Sequence, residues 1–265
     1  MSAPFARRAL TVTAVQQLGA YSVMRVADPD APEPQAGQFS MLAAVERWGG
    51  GEGERPFLAR AFSIARHLQG ESHYLLEDVG PGTRRLCELR AGDQLWSLGP
   101  LGRPFTTPAE GRRAILLGGG VGIAPLAILQ DTLLEDASVL LGFRDGERAR
   151  GAGLLRDARV ATDDGSLGYH GLVTDLLEQE LQSDAHAVVY ACGPAAMLER
   201  VRSICAETHT PAQLALEAAM ACGFGACYGC VVPRRGGGYL RVCLDGPVID
   251  AAELERVEEH AGASA

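Results

Sequence analysis

The chain has 265 residues, 47% of them hydrophobic, with 33 Gly, 14 Pro and a formal net charge of −9 in which every basic residue is Arg. This is enough apolar material for sizeable cores in two domains with a small third module, and the negative balance argues against nucleic acid as a partner. The opening stretch MSAPFARRALTVTAV has no continuous apolar region before a small-residue cleavage site, and no run approaches the roughly 18 apolar residues of a membrane span, so a cytoplasmic protein with no membrane partner is expected.

Taken in chain order, the first hundred residues read as short β-strands: RRALTVTAV, YSVMRVA, QFSMLAAV, RAFSIAR, SHYLLEDV and DQLWSLG. Turn-rich pieces such as DPDAPEPQAG and RWGGGEGERP separate them. Six strands at this spacing predict an antiparallel barrel. Near residue 112 the period changes. The apolar strand RRAILLGG enters a glycine turn and then IAPLAILQDTLLED, which has helical spacing. Further strands are expected at Ser138–Phe143, Ala158–Thr162 and Ala187–Cys192, with helices at Leu172–Leu181 and Pro194–Glu207. Strand alternating with helix predicts a doubly wound parallel sheet.

The turn Gly118-Gly119-Gly120-Val121-Gly122-Ile123-Ala124-Pro125 does not satisfy G-x-G-x-x-G, because the sixth position is Ile123 or Pro125 depending on the start. Its glycines still allow a backbone to approach a pyrophosphate while a helix beginning near Pro125 points its positive end at it. Cys192-Gly193-Pro194 and Thr162-Asp163-Asp164-Gly165-Ser166 stand at the ends of later strands, where ligands of open α/β sheets bind.

Four of the seven cysteines fall in the stretch MACGFGACYGCVVPRRGGGYLRVCLDG, spaced Cys222-x4-Cys227-x2-Cys230-x12-Cys243. Clustered cytosolic cysteines are more often metal-binding or catalytic than cross-linked. A zinc ribbon presents two C-x2-C pairs and only one exists here, whereas C-x4-C-x2-C with a distant fourth Cys is the plant-type arrangement for a [2Fe–2S] cluster. Gly223, Gly225 and Gly229 let the backbone wrap closely and aim amides at the sulfurs. Cys87, Cys192 and Cys205 read as core thiols.

Arg60-Ala61-Phe62-Ser63, the G-x-G-T of Gly80 to Thr83, LGPLGRPF, GGGVGIAPL, TDDGS and CGP occur in one order. Together they resemble the ferredoxin-reductase superfamily. The cysteine module followed by VCLDGPV resembles one branch, the electron-transfer subunits of NAD-dependent (class 1B) dihydroorotate dehydrogenases. The resemblance spans about residues 7 to 252. It implies an α+β multidomain chain: an antiparallel β-barrel flavin domain (1–108), a doubly wound parallel α/β nucleotide domain (109–212) and a small C-terminal [2Fe–2S] module (213–265).

The resemblance also implies site residues. Arg60 would meet the FAD pyrophosphate, a role that suits its planar fork. Ala61, Phe62 and Ser63 would lie along the flavin, with Leu75, Leu76 and Glu77 touching it through backbone, and Gly82 and Thr83 would hold a phosphate. Gly119, Gly120 and Gly122 with Cys192, Gly193 and Pro194 would take NAD(H), and Cys222, Cys227, Cys230 and Cys243 the cluster. Two departures stand out. Glu77 occupies a position where a basic residue is expected, and Glu217-Ala218-Ala219-Met220 replaces the family's E-E-R-M. Arg144 would face the 2′-phosphate of NADP and Asp145 the ribose diol of NAD, and the resemblance favours NAD.

Nicotinamide exchanges two electrons at once and a [2Fe–2S] cluster one, so a flavin able to do both belongs between them. The chain has no eight-fold β/α repeat to oxidise dihydroorotate itself. An FMN-containing catalytic subunit, two copies with two of this chain, is the implied partner. Two other readings remain: a reductase subunit for another acceptor, of the ferredoxin-NADP reductase, sulfide dehydrogenase or oxygenase type, and a non-enzymatic redox sensor.

Overall fold

The computed structural model describes residues 7–49, 56–133, 137–183 and 186–257. The expected loop RWGGGEGERP lies mostly outside these, as do the first six residues and the end of the helix that follows the glycine turn. Strands β1 (Arg8–Leu18), β2 (Tyr21–Ala27), β3 (Phe39–Ala44), β4 (Arg60–Leu68), β5 (Glu71–Glu77) and β6 (Gln94–Leu101) form a closed barrel in the order β1-β2-β5-β4-β3-β6. Neighbours are antiparallel throughout. Period-two alternation turns Leu10, Val12, Met24, Leu42, Ile64 and Leu76 into the interior. Helix α1 (Pro81–Cys87) adds Leu86 to that cluster and packs against β5 and β3. Burying each such leucine contributes on the order of 1.5–3 kcal/mol.

The second unit contains β7 (Arg113–Gly119), a 3-10 turn at Gly120–Ile123, α2 (Leu126–Leu133), β8 (Ala137–Phe143), α3 (Gly146–Ala149) and β9 (Ala158–Thr162). It continues through β10 (Tyr169–His170), α4 (Val173–Ser183), β11 (Ala187–Cys192), α5 (Ala195–Glu207) and β12 (Ala212–Ala215). A short hairpin of β13 (Val231–Pro233) and β14 (Tyr239–Arg241) follows, and then β15 (Val248–Asp250). The sheet order is β10-β9-β8-β7-β11-β12-β15. Its pairs are parallel except at the edge, where β15 runs antiparallel to β12. The parallel sheet read from the sequence therefore gains an antiparallel edge strand from the cysteine-bearing segment. Three residues are too short a run to show a period, and Val248 and Ile249 find their place only by packing into the sheet's two apolar clusters.

The barrel, the sheet and the cysteine segment share their cores. One cluster joins Phe39, Met41 and Leu101 of the barrel to Leu140 and Val189 of the sheet and to Cys230, Val242 and Cys243. A second joins Tyr21, Leu75 and Phe105 to Ile123, Leu141 and Tyr190. Arg66 of β4 crosses to α2, donating to Asp131 at 2.8 Å and to the Leu154 carbonyl at 2.9 Å. Cys192 and Cys205 are buried core thiols as read, but Cys87 is only half-buried, in the last turn of α1 beside the fully buried Leu86.

Candidate functional site

Strand β4 presents Arg60 to Ser63, and its neighbours fix the presentation. Phe62 pairs with Ser40 and Ser63 with Phe39 across the β3–β4 ladder. A Cβ added at Gly82 would lie 2.6 Å from Arg60 Nε and 2.9 Å from Cζ, so the guanidinium rests against the first turn of α1 and a larger residue there would displace it. Arg60 also donates to the Leu58 carbonyl at 2.6 Å, and its guanidinium lies 6.0 Å from the Trp48 ring. This cradle places a fixed cation beside helix amides, an arrangement that fits a phosphate. The Thr83 side chain is engaged within the same turn. Its hydroxyl accepts from the amides of Val79 at 2.9 Å and Gly80 at 3.0 Å and donates to the Gly80 carbonyl, so the side chain closes its own turn. Leu75 and Leu76 are buried on opposite faces of β5 and pair with Val23 and Ser22 of β2.

The nucleotide turn stands where the strand order reverses: β7 is flanked by β8 on one side and β11 on the other. Helical structure begins at Gly120 and becomes regular at Leu126. A Cβ at Gly122 would sit 2.5 Å from the Cys192 carbonyl oxygen and 2.6 Å from Gly193 Cα. At Gly119 it would meet Met197 Sδ at 2.6 Å, and at Gly193 it would meet Met197 Cε at 2.6 Å. The two turns thus touch backbone to backbone at the carboxyl ends of β7 and β11, with the Met197 thioether against both. The Cys192 thiol is pushed well above its ordinary range by burial, with the Glu217 charge adding to this. It packs rather than reacts.

In the cysteine segment, Cys230 and Cys243 are each 2% exposed, Cys222 is half-exposed and Cys227 exposed. The Cys243 amide donates to Cys230 Sγ at 3.4 Å. Burial works against a thiolate at Cys222, yet backbone hydrogen bonds at Phe224 and Cys227, the Cys227 side chain and the Ala226 amide outweigh it and lower the thiol to about 6. Cys243 is pushed up to about 12 by burial first and then by Cys230, while a backbone hydrogen bond at Gly225 opposes the rise. Among the described residues no three His, Cys, Asp or Glu side chains form a ready metal site. The donor chemistry suits a cluster nonetheless: soft thiols only, with amides turned toward the sulfurs by Gly223 at φ +79° and Gly225 at φ +86°. A Cβ at Gly223 would meet Met41 Cγ at 2.5 Å, and Met41 pairs with Ala61 of the R-A-F-S strand. The cysteine loop therefore lies directly on β3, the strand paired with β4 that carries Arg60.

Residues 217–255 match the model of the iron-sulfur cluster binding domain of dihydroorotate dehydrogenase B. The dihydroorotate dehydrogenase B (NAD(+)) electron transfer subunit of Desulforamulus reducens is 37% identical over 216 residues, covering 77% of this chain and 82% of that one. Its counterpart in Caldanaerobacter subterraneus subsp. tengcongensis is 36% identical over 230 residues, covering 84% and 87%. The Geobacillus thermodenitrificans subunit is 39% identical over 241 residues, covering 83% and 86%. The chain belongs to the dihydroorotate dehydrogenase B electron transfer subunit family. It is an oxidoreductase subunit that transfers electrons. Among solved structures, an NADH-dependent reduced ferredoxin-NADP oxidoreductase described for flavin-based electron bifurcation aligns with a TM-score of 0.78 at 25% identity, covering 93% of this chain and 90% of that one. The ferredoxin reductase of carbazole 1,9a-dioxygenase shares the fold, with a TM-score of 0.65 at 22% identity and coverage of 79% and 67%.

Within that family frame, the structure explains the departure at Glu77 and adds residues that motif reading missed. Arg148 of α3 donates to Glu77 at 3.1 Å and to Asp145 at 2.7 Å, so the carboxylate at this position is paired with a cation from the α/β unit. Asp145 caps α3 by accepting from the Arg148 amide at 2.9 Å, and both its oxygens are engaged before any ribose reaches it. The hydrogen bonds from Arg148 hold the Asp145 carboxyl below its usual range. Met197 was legible only as a helical apolar position, since nothing local marks a residue that touches two distant turns. No helix among the described residues is long and apolar enough to cross a membrane.

Proposed function

We propose that this chain relays electrons between NAD and an FMN-containing dihydroorotate dehydrogenase catalytic subunit in pyrimidine biosynthesis, in a cytoplasmic assembly of two copies of each. FAD held at the Arg60 and Gly82 turn would supply the interconversion of two-electron and one-electron exchange, and a [2Fe–2S] cluster held by Cys222, Cys227, Cys230 and Cys243 would supply a one-electron carrier. The observation that carries this reading is the seating of the cysteine loop on β3, with Gly223 against Met41 and Leu101, while β15 ties the same segment into the nucleotide sheet. All three cofactor positions are thereby held in one body.

Arg60, with Gly82 leaving room for its guanidinium, neutralises the FAD pyrophosphate. Thr83 stiffens the turn that offers amides to it. Ala61, Phe62 and Ser63 line the flavin, and Leu75, Leu76 and Glu77 meet it through their backbone. Gly119, Gly120, Gly122, Cys192, Gly193 and Pro194 let the dinucleotide approach the ends of β7 and β11. Cys222, Cys227, Cys230 and Cys243 ligate iron. The purified protein is expected to contain FAD with about two iron and two acid-labile sulfide per chain, and metal analysis that finds zinc in place of iron overturns the assignment.

Nucleotide choice follows the relatives, which are named NAD(+) subunits, and the acidic ends of β8 and β9 support it: Asp145 caps α3 and is paired with Arg148, and Asp164 accepts from the amide and hydroxyl of Ser166. With the partner present, kcat/KM for NADH should exceed that for NADPH by at least about tenfold, or ~1.4 kcal/mol. Equal values would return the choice to Arg144. The sensor reading predicts negligible NADH oxidation with artificial acceptors, so brisk dye reduction removes it.

A further inference from the structure

We infer that Arg241 and Asp245 set the reduction potential of the [2Fe–2S] cluster, an inference that rests on the cluster assignment above. Arg241 is the point where the cysteine segment is tied together. Its backbone pairs with Val231, the residue after Cys230, across the β13–β14 hairpin. Its carbonyl accepts from the amides of Leu244 at 3.0 Å and Asp245 at 2.7 Å, which closes the turn that carries Cys243. The Val242 amide, next along, donates to the Cys230 carbonyl at 2.9 Å. The Arg241 side chain then reaches the loop of a third cysteine. Its guanidinium lies 5.1 Å from the centre of the Tyr228 ring, and Nη1 is 3.4 Å from the Tyr228 hydroxyl. Tyr228 stands between Cys227 and Gly229 at φ +57°, a left-handed conformation that an aromatic residue adopts only where its surroundings hold it.

Asp245 completes the clamp. Its Oδ2 accepts from the Arg241 amide at 2.9 Å and from Nε at 3.3 Å, so carboxylate and ring together fix where the guanidinium stands. What the clamp offers the cluster is charge. A [2Fe–2S] cluster on four thiolates is anionic, and the electron arriving from the flavin adds one more negative charge. A cation beside it therefore favours the reduced state and a carboxylate the oxidised one. Both side chains are half-buried, where charges act through less water than at the open surface. The other arginines of the hairpin follow Pro233, at the end away from Cys230, and Arg234 there pairs with Glu253. Arg241 and Asp245 pull the potential in opposite directions, and its value follows from both.

The test is a redox titration of the cofactor-loaded full chain, in which the paramagnetic signal of the reduced cluster gives its midpoint potential. Iron content is measured on the same samples. Arg241→Gln should move the midpoint to more negative values and Asp245→Asn to more positive ones. Arg241→Lys, which keeps the charge without the planar fork, should shift it less than Arg241→Gln does. Arg234→Gln removes the same charge at the far end of the hairpin and should leave the midpoint in place. Shifts of one sign for Arg241→Gln and Asp245→Asn, or no shift, overturn the inference and leave the relay reading standing, because a purely structural clamp does not respond to the sign of the charge removed. If Arg241→Gln loses its iron, Asp245→Asn still decides, and the absence of a positive shift there overturns the inference. Loss of iron from all three clamp variants also overturns it, since the clamp is then a scaffold. An unaltered chain that gives no such signal and holds zinc removes the cluster assignment, and this inference with it.

Discussion

Cys227→Ser is expected to retain NADH-driven reduction of an artificial dye within about twofold, while electron exchange with the FMN-containing partner falls by at least about 100-fold. Serine keeps the shape of the side chain but replaces a soft thiolate with a poor iron ligand. Cys227 is the exposed member of the four, so the substitution opens no cavity in the shared core that holds Cys230 and Cys243. Arg60, Gly82 and the two nucleotide turns lie on other elements and keep their packing. Dye reduction needs only those sites. The measurements are iron content, dye reduction and partner-linked turnover on the same preparation. Partner-linked turnover near that of the unaltered chain would mean that the cysteine module is off the electron path, and the central claim would fail. Loss of both activities, together with a fall in FAD content, would instead report collapse of the shared core, which the melting temperature detects.

Gly122→Ala should have the converse pattern: FAD and iron retained, with kcat/KM for NADH lowered by at least about 100-fold, equivalent to ~2.7 kcal/mol. The added methyl would stand 2.5 Å from the Cys192 carbonyl oxygen, 2.6 Å from its carbon and 2.6 Å from Gly193 Cα. All three are backbone atoms, so no side-chain rotation relieves the clash and the two turns must part. Separating them also withdraws the support that Met197 gives to Gly119 and Gly193. The contrast is Gly111→Ala, at a site where a Cβ meets nothing within 4 Å but φ is +78°. That change should cost stability of about 1 kcal/mol through backbone strain and leave the kinetics alone. Should Gly122→Ala turn over NADH normally, the contact between the turns plays no part in nucleotide binding.

The six barrel strands and the alternation of strand and helix after residue 112 were legible because each is a local pattern. Period-two runs such as YSVMRVA and the buried run AVVYAC are set by which faces must leave water, and that is decided within the segment. The cysteine spacing was legible for a related reason, since four thiols within one short loop need no long-range geometry to be read as ligands. Arg60 and the glycine turns could be named from motif order, though not what they would touch.

What only the tertiary structure decided is the set of contacts between segments far apart in sequence. Neither Gly82 nor Arg60 signals that the guanidinium lies on the glycine, which requires β4 and α1 to meet. Glu77 read as an anomaly until Arg148, 71 residues away, arrived across the domain boundary. Strand β15 is three residues long and has no period of its own; its antiparallel seat on β12 follows from burying Val248 and Ile249 against a sheet already built. The same holds for a groove lined by Trp48, Trp96 and Cys222, whose members come from three distant stretches of chain. Sequence records which side chains must be buried or charged, whereas closing the barrel and stacking it on the sheet determines which of them meet.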